Sequence, residues 1–357
     1  MKYISLFSGI GGFELGIQRA LGDKAHCIGF SEIDKFALQV YKEHFPSHTN
    51  LGNVTTITEE HIKKLVKQEN GCDMLVGGFP CTNLTSLAQV FKNCNSDGLD
   101  GPSSGLFWNM LNIIQWIRKY NGERKLHIVI ENNASMTTNN KTIITDQLQS
   151  CFDYPIYLTA LNGSDFGVQI RRRIFWTTFE LDVSGIVCEQ TWGDVLVPIE
   201  DAYKHIVTDG YINKGNKRYV KDKCNPIHTE RVRDQIYRFI VSPNEENNVC
   251  SWQKGYHNDN GMGSVLLYKY IEGKCRPVVR RQRFDNILID RRVSNDPFEF
   301  IIRHFSSEEL ARLFWFPDDW CSSCSKCRQF MLYGNTVIVN VIEFILKEFL
   351  MNVQFQD

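Results

Sequence analysis

Three segments of the chain put reactive side chains where a backbone can control them. Cys81 stands in Gly77-Gly78-Phe79-Pro80-Cys81-Thr82-Asn83, directly after the apolar run Asp73–Val76. A thiol on such a Gly/Pro-shaped loop is exposed and held in one conformation. That suits a nucleophile, provided local positive charge or hydrogen bonds favour the thiolate. The other reading is a buried structural thiol, which is the reading for the remaining cysteines. Glu131 ends a second apolar run, Ile128-Val129-Ile130, and is followed by Asn132-Asn133. Partial desolvation would let its carboxyl hold a proton near neutrality; alternatively it caps a helix or pairs with a base. In Gln169-Ile170-Arg171-Arg172-Arg173, strand periodicity points Gln169, Arg171 and Arg173 to one face and Arg172 to the other.

A fourth segment suggests what these groups work with. Phe7-Ser8-Gly9-Ile10-Gly11-Gly12 follows the first apolar run, so backbone can approach a ligand closely with a helix N-terminus behind it. Glu32, ending the run His26–Phe30, stands about 20 residues further on, where a carboxylate holds a ribose hydroxyl pair. The loop and the acid together indicate an adenosine-containing cofactor.

The elements that must position these groups alternate between strand and helix over residues 1–180. Tyr3–Phe7, His26–Phe30, Asp73–Val76, Ile128–Ile130 and Phe175–Thr178 read as strands, and helical patterns lie between them. This rhythm predicts a doubly wound α/β domain on a parallel sheet, with ligands at the carboxyl ends of the strands. From Ser184 to Asn295 the pattern loosens into turn-formers and short strand-like runs (Ile206–Thr208, Ile236–Val241, Val265–Tyr268), which predicts a smaller, partly β second domain. Helical patterns return at Ser307–Phe314 and Val337–Leu350. The domain reading is therefore 1–183, 184–296 and a return to the first domain over 297–357.

Composition narrows the class. The chain has 357 residues, 43% of them hydrophobic and 23% charged, which excludes a disordered, collagen-like or small disulfide-stapled protein. No uncharged apolar run approaches the ~18 residues of a membrane span. The first residues lack a cleavage site, so an intracellular chain with no membrane partner is expected. Forty Lys and Arg against 41 Asp and Glu leave no overall field for a polyanion. The 12 cysteines, spread along a long chain, are expected to be reduced thiols.

In order, spacing and identity these residues resemble the cytosine-C5 methyltransferase family. Phe7–Gly12 is similar to its cofactor loop, Glu32-Ile33-Asp34 to its ribose-binding segment and Pro80-Cys81 to its catalytic Pro-Cys. Glu131-Asn132 matches its Glu-Asn pair and Gln169-x-Arg171-x-Arg173 its Gln-x-Arg-x-Arg motif. Ser307–Pro317 resembles the segment ahead of its last motif, and Gly334-Asn335-Thr336-Val337 that motif itself. The resemblance implies a Rossmann-like methyltransferase domain with an inserted target-recognition domain. It also implies S-adenosyl-L-methionine as cofactor, bound through Phe7, Ser8, Gly9, Ile10, Gly11, Gly12, Glu32, Ile33, Asn53, Pro80, Asn335 and Val337. Cys81 would add to C6 of cytosine, Glu131 would donate to N3, and Arg171 and Arg173 would hold the base. The implied partner is double-stranded DNA read by a monomer, in the cytoplasm of a prokaryote or phage host, or in the nucleus of a eukaryote. Asn53 stands where the family usually has Asp, Thr82 where it has Gln, Thr85 where Ser is common and Asn133 where it has Val. None of these removes a catalytic group.

Two further segments bear on the partner. Gly273–Arg292 carries seven Lys or Arg against Asp285 and Asp290, a concentration suited to phosphate contacts. Cys250–Leu266 is similar to a stretch of the family's tRNA-methylating branch, which makes tRNA the alternative substrate. Cys321-x-x-Cys324-x-x-Cys327 lacks a fourth ligand nearby, and no metal is expected.

Overall fold

The computed structural model describes residues 1–80, 105–202, 204 and 305–352, together with the backbone of short strands between 249 and 304. Cα packing divides the chain into two compact units: Met1–Asp165 with Arg172–Val187 and Thr336–Asp357, and Phe166–Arg171 with Cys188–Asn335. These divisions differ from the 183/184 and 296/297 boundaries read from the sequence.

The first unit is built on a six-stranded sheet. Its strands are β1 (Lys2–Leu6), β2 (His26–Ser31), β3 (Met74–Gly78), β4 (His127–Asn133), β5 (Tyr157–Asn162) and β6 (Arg172–Thr177), in the order β2-β1-β3-β4-β6-β5. β1 to β4 are parallel, as the alternating pattern predicts. The expectation of an all-parallel sheet fails at β6, which runs antiparallel to both β4 and β5. The connection explains it. Between β5 and β6 lie only the four-residue helix α6 (Gly163–Phe166) and a short loop, too little for the crossover of a dozen or more residues that parallel pairing requires.

Helices cover both faces, because the parallel strands are apolar on both. Ile4, Leu6, Leu75, Ile128, Ile130, Ile174 and Trp176 form a single core with residues of α3 (Glu59–Gln68), α4 (Leu106–Tyr120) and α5 (Thr138–Ser150). On the opposite face lie α1 (Gly12–Leu21), α2 (Lys35–His44) and the C-terminal helix α11 (Val339–Asn352). α1 and α11 pack so closely that a Cβ on Gly16 would sit 2.7 Å from Ile342. Lys326–Asn352 as a whole is long and apolar enough to cross a membrane by composition, yet 61% of its most apolar window is buried within the protein.

The second unit contains the short helices α7 (Trp192–Val195) and α8 (Ile199–Ala202), then α9 (Ser307–Leu313) and α10 (Lys326–Gly334). Its β part consists of an antiparallel sheet of Val249–Trp252, Ile287–Asp290 and Ile301–His304, and the pair Tyr256–His257 with Val265–Leu266. Val265–Tyr268 is thus strand over its first two residues, whereas Ile206–Thr208 and Ile236–Val241 lie outside the described residues. α9 belongs to this unit because its surroundings are here. Gln169 donates to the Leu313 carbonyl at 2.8 Å, the Val197 amide to Glu309 at 3.1 Å, and Gln190 to the Arg312 carbonyl at 2.7 Å.

Candidate active site

The glycine-rich loop leaves β1 on a left-handed turn, with φ of +56° at Phe7, +58° at Gly9 and +88° at Gly11. Gly11 has a second reason to be glycine: a Cβ there would come within 2.6 Å of the Phe45 ring. Among the described residues, a Cβ on Gly9 would meet no atom within 4 Å, so the loop faces open space there. The Gly11 amide donates to the Ser8 carbonyl and closes the turn into α1.

Glu32 is tied into this loop. One carboxylate oxygen accepts from the Gly9 amide at 2.8 Å, and the other accepts from the Ile33 and Asp34 amides at 2.7 Å each. The carboxylate is therefore oriented before any ligand arrives. Beside it Ile33 is 66% exposed, an apolar side chain available to cover a planar base. Asn50 braces the same turn: its amide nitrogen donates to the Glu32 carbonyl and its oxygen accepts from the Gly52 and Glu32 amides. Sequence reading missed Asn50, because an isolated Asn in a loop carries no signal. Asn53 uses its side-chain oxygen to cap the short turn Val54–Thr56, accepting from the Thr55 amide at 3.0 Å. The open space at Gly9, the oriented acid and the exposed apolar side chain fit an adenosyl group.

The second cluster lies at the carboxyl ends of β3 and β4. Gly78 is in register with Glu131, and a Cβ on Gly78 would lie 2.6 Å from a Glu131 carboxylate oxygen. Asn132, fully buried, donates to the Phe79 carbonyl at 3.0 Å and so fixes the backbone that leads into Pro80. Cys81 itself lies outside the described residues, as do Thr82 and Thr85. Glu131 is ion-paired: Arg173 Nε stands 2.6 Å from its carboxylate, with both side chains largely buried. The register aligns Arg173 with Asn133, so the long side chain reaches diagonally across two strands.

Gln169, Arg171 and Arg173 do not share one strand face. The strand begins at Arg172, which is exposed as expected, while Gln169 and Arg171 precede it and belong to the second unit. Arg171 donates to the Gly334 carbonyl at 2.9 Å and stacks over Phe314 at 5.1 Å. Asn335 caps α10 and is exposed, and Val337 is buried in the first unit. Among the described residues no His, Cys, Asp and Glu group of three is arranged to hold a metal. The seven described cysteines are all free thiols, and burial pushes those of Cys27 and Cys72 up to about 12. Apart from the backbone of Ile287–Asp290, the basic segment Gly273–Arg292 lies outside the described residues.

The profile of the C-5 cytosine-specific DNA methylases matches residues 1–351. The chain belongs to that family. It is 26% identical to the Type II methyltransferase M1.ScrFI of Lactococcus lactis subsp. cremoris over 98% of this chain and 78% of that protein. It is 28% identical to the Type II methyltransferase M.HgiCII of Herpetosiphon aurantiacus over 49% of this chain, a stretch that spans 36% of that relative. The solved methyltransferase EhMeth of Entamoeba histolytica superposes with a TM-score of 0.58, covering 98% of this chain and 97% of that one at 16% identity, which supports the fold alone. The α/β sheet with helices on both faces is thus the Rossmann-like frame of a cytosine-C5 methyltransferase.

Proposed function

We propose that the chain methylates C5 of cytosine in a short sequence of duplex DNA, with S-adenosylmethionine as methyl donor. One observation carries this reading. Register and hydrogen bonding set the Glu131–Arg173 pair against the strand end that leads within three residues to Cys81. When bound, the cofactor supplies an electrophilic methyl group on a sulfonium. C5 of cytosine is too weakly nucleophilic to take it unaided. Addition of the Cys81 thiolate to C6 makes C5 enamine-like. Glu131 faces N3 and holds the proton there, and Arg173 keeps the carboxyl oriented. C5 takes the methyl group, the sulfonium sulfur keeping the pair of the broken S–C bond as a thioether. C5 then gives its own proton to a base, and the electron pair of that C–H bond re-forms the C5–C6 double bond and expels the thiolate. Because the ring is attacked from its face, the target base leaves the stack and enters the site.

Glu32 and the Gly9 turn hold the ribose, and Ile33 covers the adenine. Arg171 braces Gly334 ahead of Asn335, and Gln169 braces the end of α9. The second unit, with the basic Gly273–Arg292, supplies target recognition, and the enzyme acts as a monomer. The match to the C-5 cytosine-specific DNA methylases over residues 1–351 favours DNA over tRNA. The test offers radiolabelled methyl donor with a library of duplex DNA or with total tRNA. Label is expected in DNA at one short sequence. Label in tRNA and never in DNA would reverse the choice of substrate. In a parallel arm, 5-fluorocytosine at the target should trap a covalent complex through Cys81, since fluorine does not leave as a proton does. An adduct mapped to another cysteine would remove Cys81 from the mechanism.

A further inference from the structure

Glu14 lies in the first turn of α1, two residues beyond the glycine-rich loop, and is 1% exposed. One carboxyl oxygen accepts from the Tyr41 hydroxyl at 3.0 Å, and the other has no hydrogen-bond partner. An unpartnered charged oxygen at such a depth costs far more than a neutral one. Next to it, the Ser5 and Ser8 hydroxyls lie 2.9 Å apart, and Ser8 also donates to the Ser5 carbonyl at 3.3 Å. Each serine has one proton, and these two bonds use both. The same two hydroxyls interact with the Glu14 carboxyl and favour its charged form, so ionisation draws them toward it and away from each other, and Ser8 is the second residue of the loop itself.

Resting on the cofactor reading above, we propose that Glu14 is a positioning residue of the adenosyl site. It acts as a neutral acid, and its ionisation breaks the Ser5–Ser8 pair and loosens the Gly9–Gly12 turn, so that cofactor affinity falls as pH rises. Burial supports this by raising the Glu14 carboxyl to about 7, against the smaller opposing pull of the Ser5, Tyr41 and Ser8 hydroxyls. The other titratable groups around it stay neutral in that range. Burial pushes up Tyr3 on β1 and Tyr41 on α2, and raises Cys27 on β2 to about 12. His48 reaches the cluster through a 3.0 Å bond to the Tyr41 hydroxyl, and burial lowers it, which favours the neutral ring. Across the packed α11 helix, Glu343 faces Arg19 on α1.

The experiment measures binding of S-adenosylhomocysteine by calorimetry from pH 6.5 to 8.5 for the full chain and for Glu14→Gln. In the same range, hydrogen exchange at the Gly9 and Gly11 amides is followed without ligand. Wild-type Kd should weaken by about tenfold, within the limit of one linked proton. Glu14→Gln, which keeps the neutral form, should change by less than about twofold, the ligand's own titration being common to both. Exchange at Gly9 and Gly11 should accelerate with pH in the wild type beyond the rise seen in Glu14→Gln. Equal pH dependence of the two proteins in binding and exchange would overturn the proposal. If no ligand binds the wild type at any pH, the cofactor reading fails. The exchange comparison in unliganded wild type then decides the role of Glu14 by itself.

Discussion

Arg173 and Glu131 form the best-defined contact of the candidate active site, a 2.6 Å ion pair with both partners largely shielded from water. Removing one partner leaves the other desolvated and uncompensated. Arg173→Gln is therefore expected to lower the unfolding free energy by about 1–3 kcal/mol, measured by urea denaturation. It should also lower the methyl-transfer rate by about 100-fold or more while leaving S-adenosylhomocysteine affinity within about twofold. A variant as stable and as fast as the wild type would mean that the pair neither orients Glu131 nor supports the fold. The sequence placed Glu131 at a strand end but left its partner open, because a diagonal contact between strands 42 residues apart has no local signature.

At the scale of elements, two adjacent glycines of β3 make distinct demands. A Cβ on Gly77 would lie 2.4 Å from the Leu6 carbonyl oxygen, which belongs to the backbone of the neighbouring strand and cannot move aside. A Cβ on Gly78 would lie 2.6 Å from the far end of the Glu131 side chain, which can. Gly77→Ala should accordingly cost stability, about 1–3 kcal/mol as for other overpacked sites, read from the melting curve. Gly78→Ala should fold with less than about half that loss and show its defect in methyl transfer, as Glu131 swings from Arg173. If the two variants lost stability equally, the assignment of Gly78 to the site would be wrong. Sequence alone marked both glycines as one turn signal; only the register with β1 and β4 separates them.

For the whole molecule, two buried groups give the folded state opposing responses to pH. Burial lowers His127, packed against Phe349 and bonded to the Thr178 hydroxyl, to about 4. The unfolded chain therefore takes up this proton first, and stability falls as pH drops from about 6.5 toward 4. Glu14 titrates the other way. With its carboxyl raised to about 7 in the folded protein, stability falls as pH rises from about 4.5 to 7. Each contributes about 3 kcal/mol across its range, so the two largely cancel between about pH 4.5 and 6.5. Single variants should separate them when denaturation midpoints are followed with pH. Relative to wild type, Glu14→Gln gains stability as pH rises toward 7, and His127→Asn gains as pH falls toward 4. Parallel shifts of both variants would show that neither group is buried in the form described.

Local chemistry was legible in the chain itself. Glycine-rich turns after apolar runs located the loop at Phe7–Gly12, Glu32 and Glu131 stood at strand ends, and the βα rhythm predicted five strands, four of which are parallel as expected, because steric freedom and hydrophobic period are properties of adjacent residues. What depended on distant residues was not. β5 escaped notice because an edge strand, with Tyr157, Thr159 and their neighbours half wet, needs no continuous apolar run. The antiparallel turn into β6 follows from how little chain joins it to β5, and the pairing of Arg173 with Glu131 from the register this creates. In sequence, Glu14 is indistinguishable from any acid in a helix's first turn, favourable beside a helix N-terminus. Only the packing of β1, β2 and α2 around it removes the water that would have kept it charged.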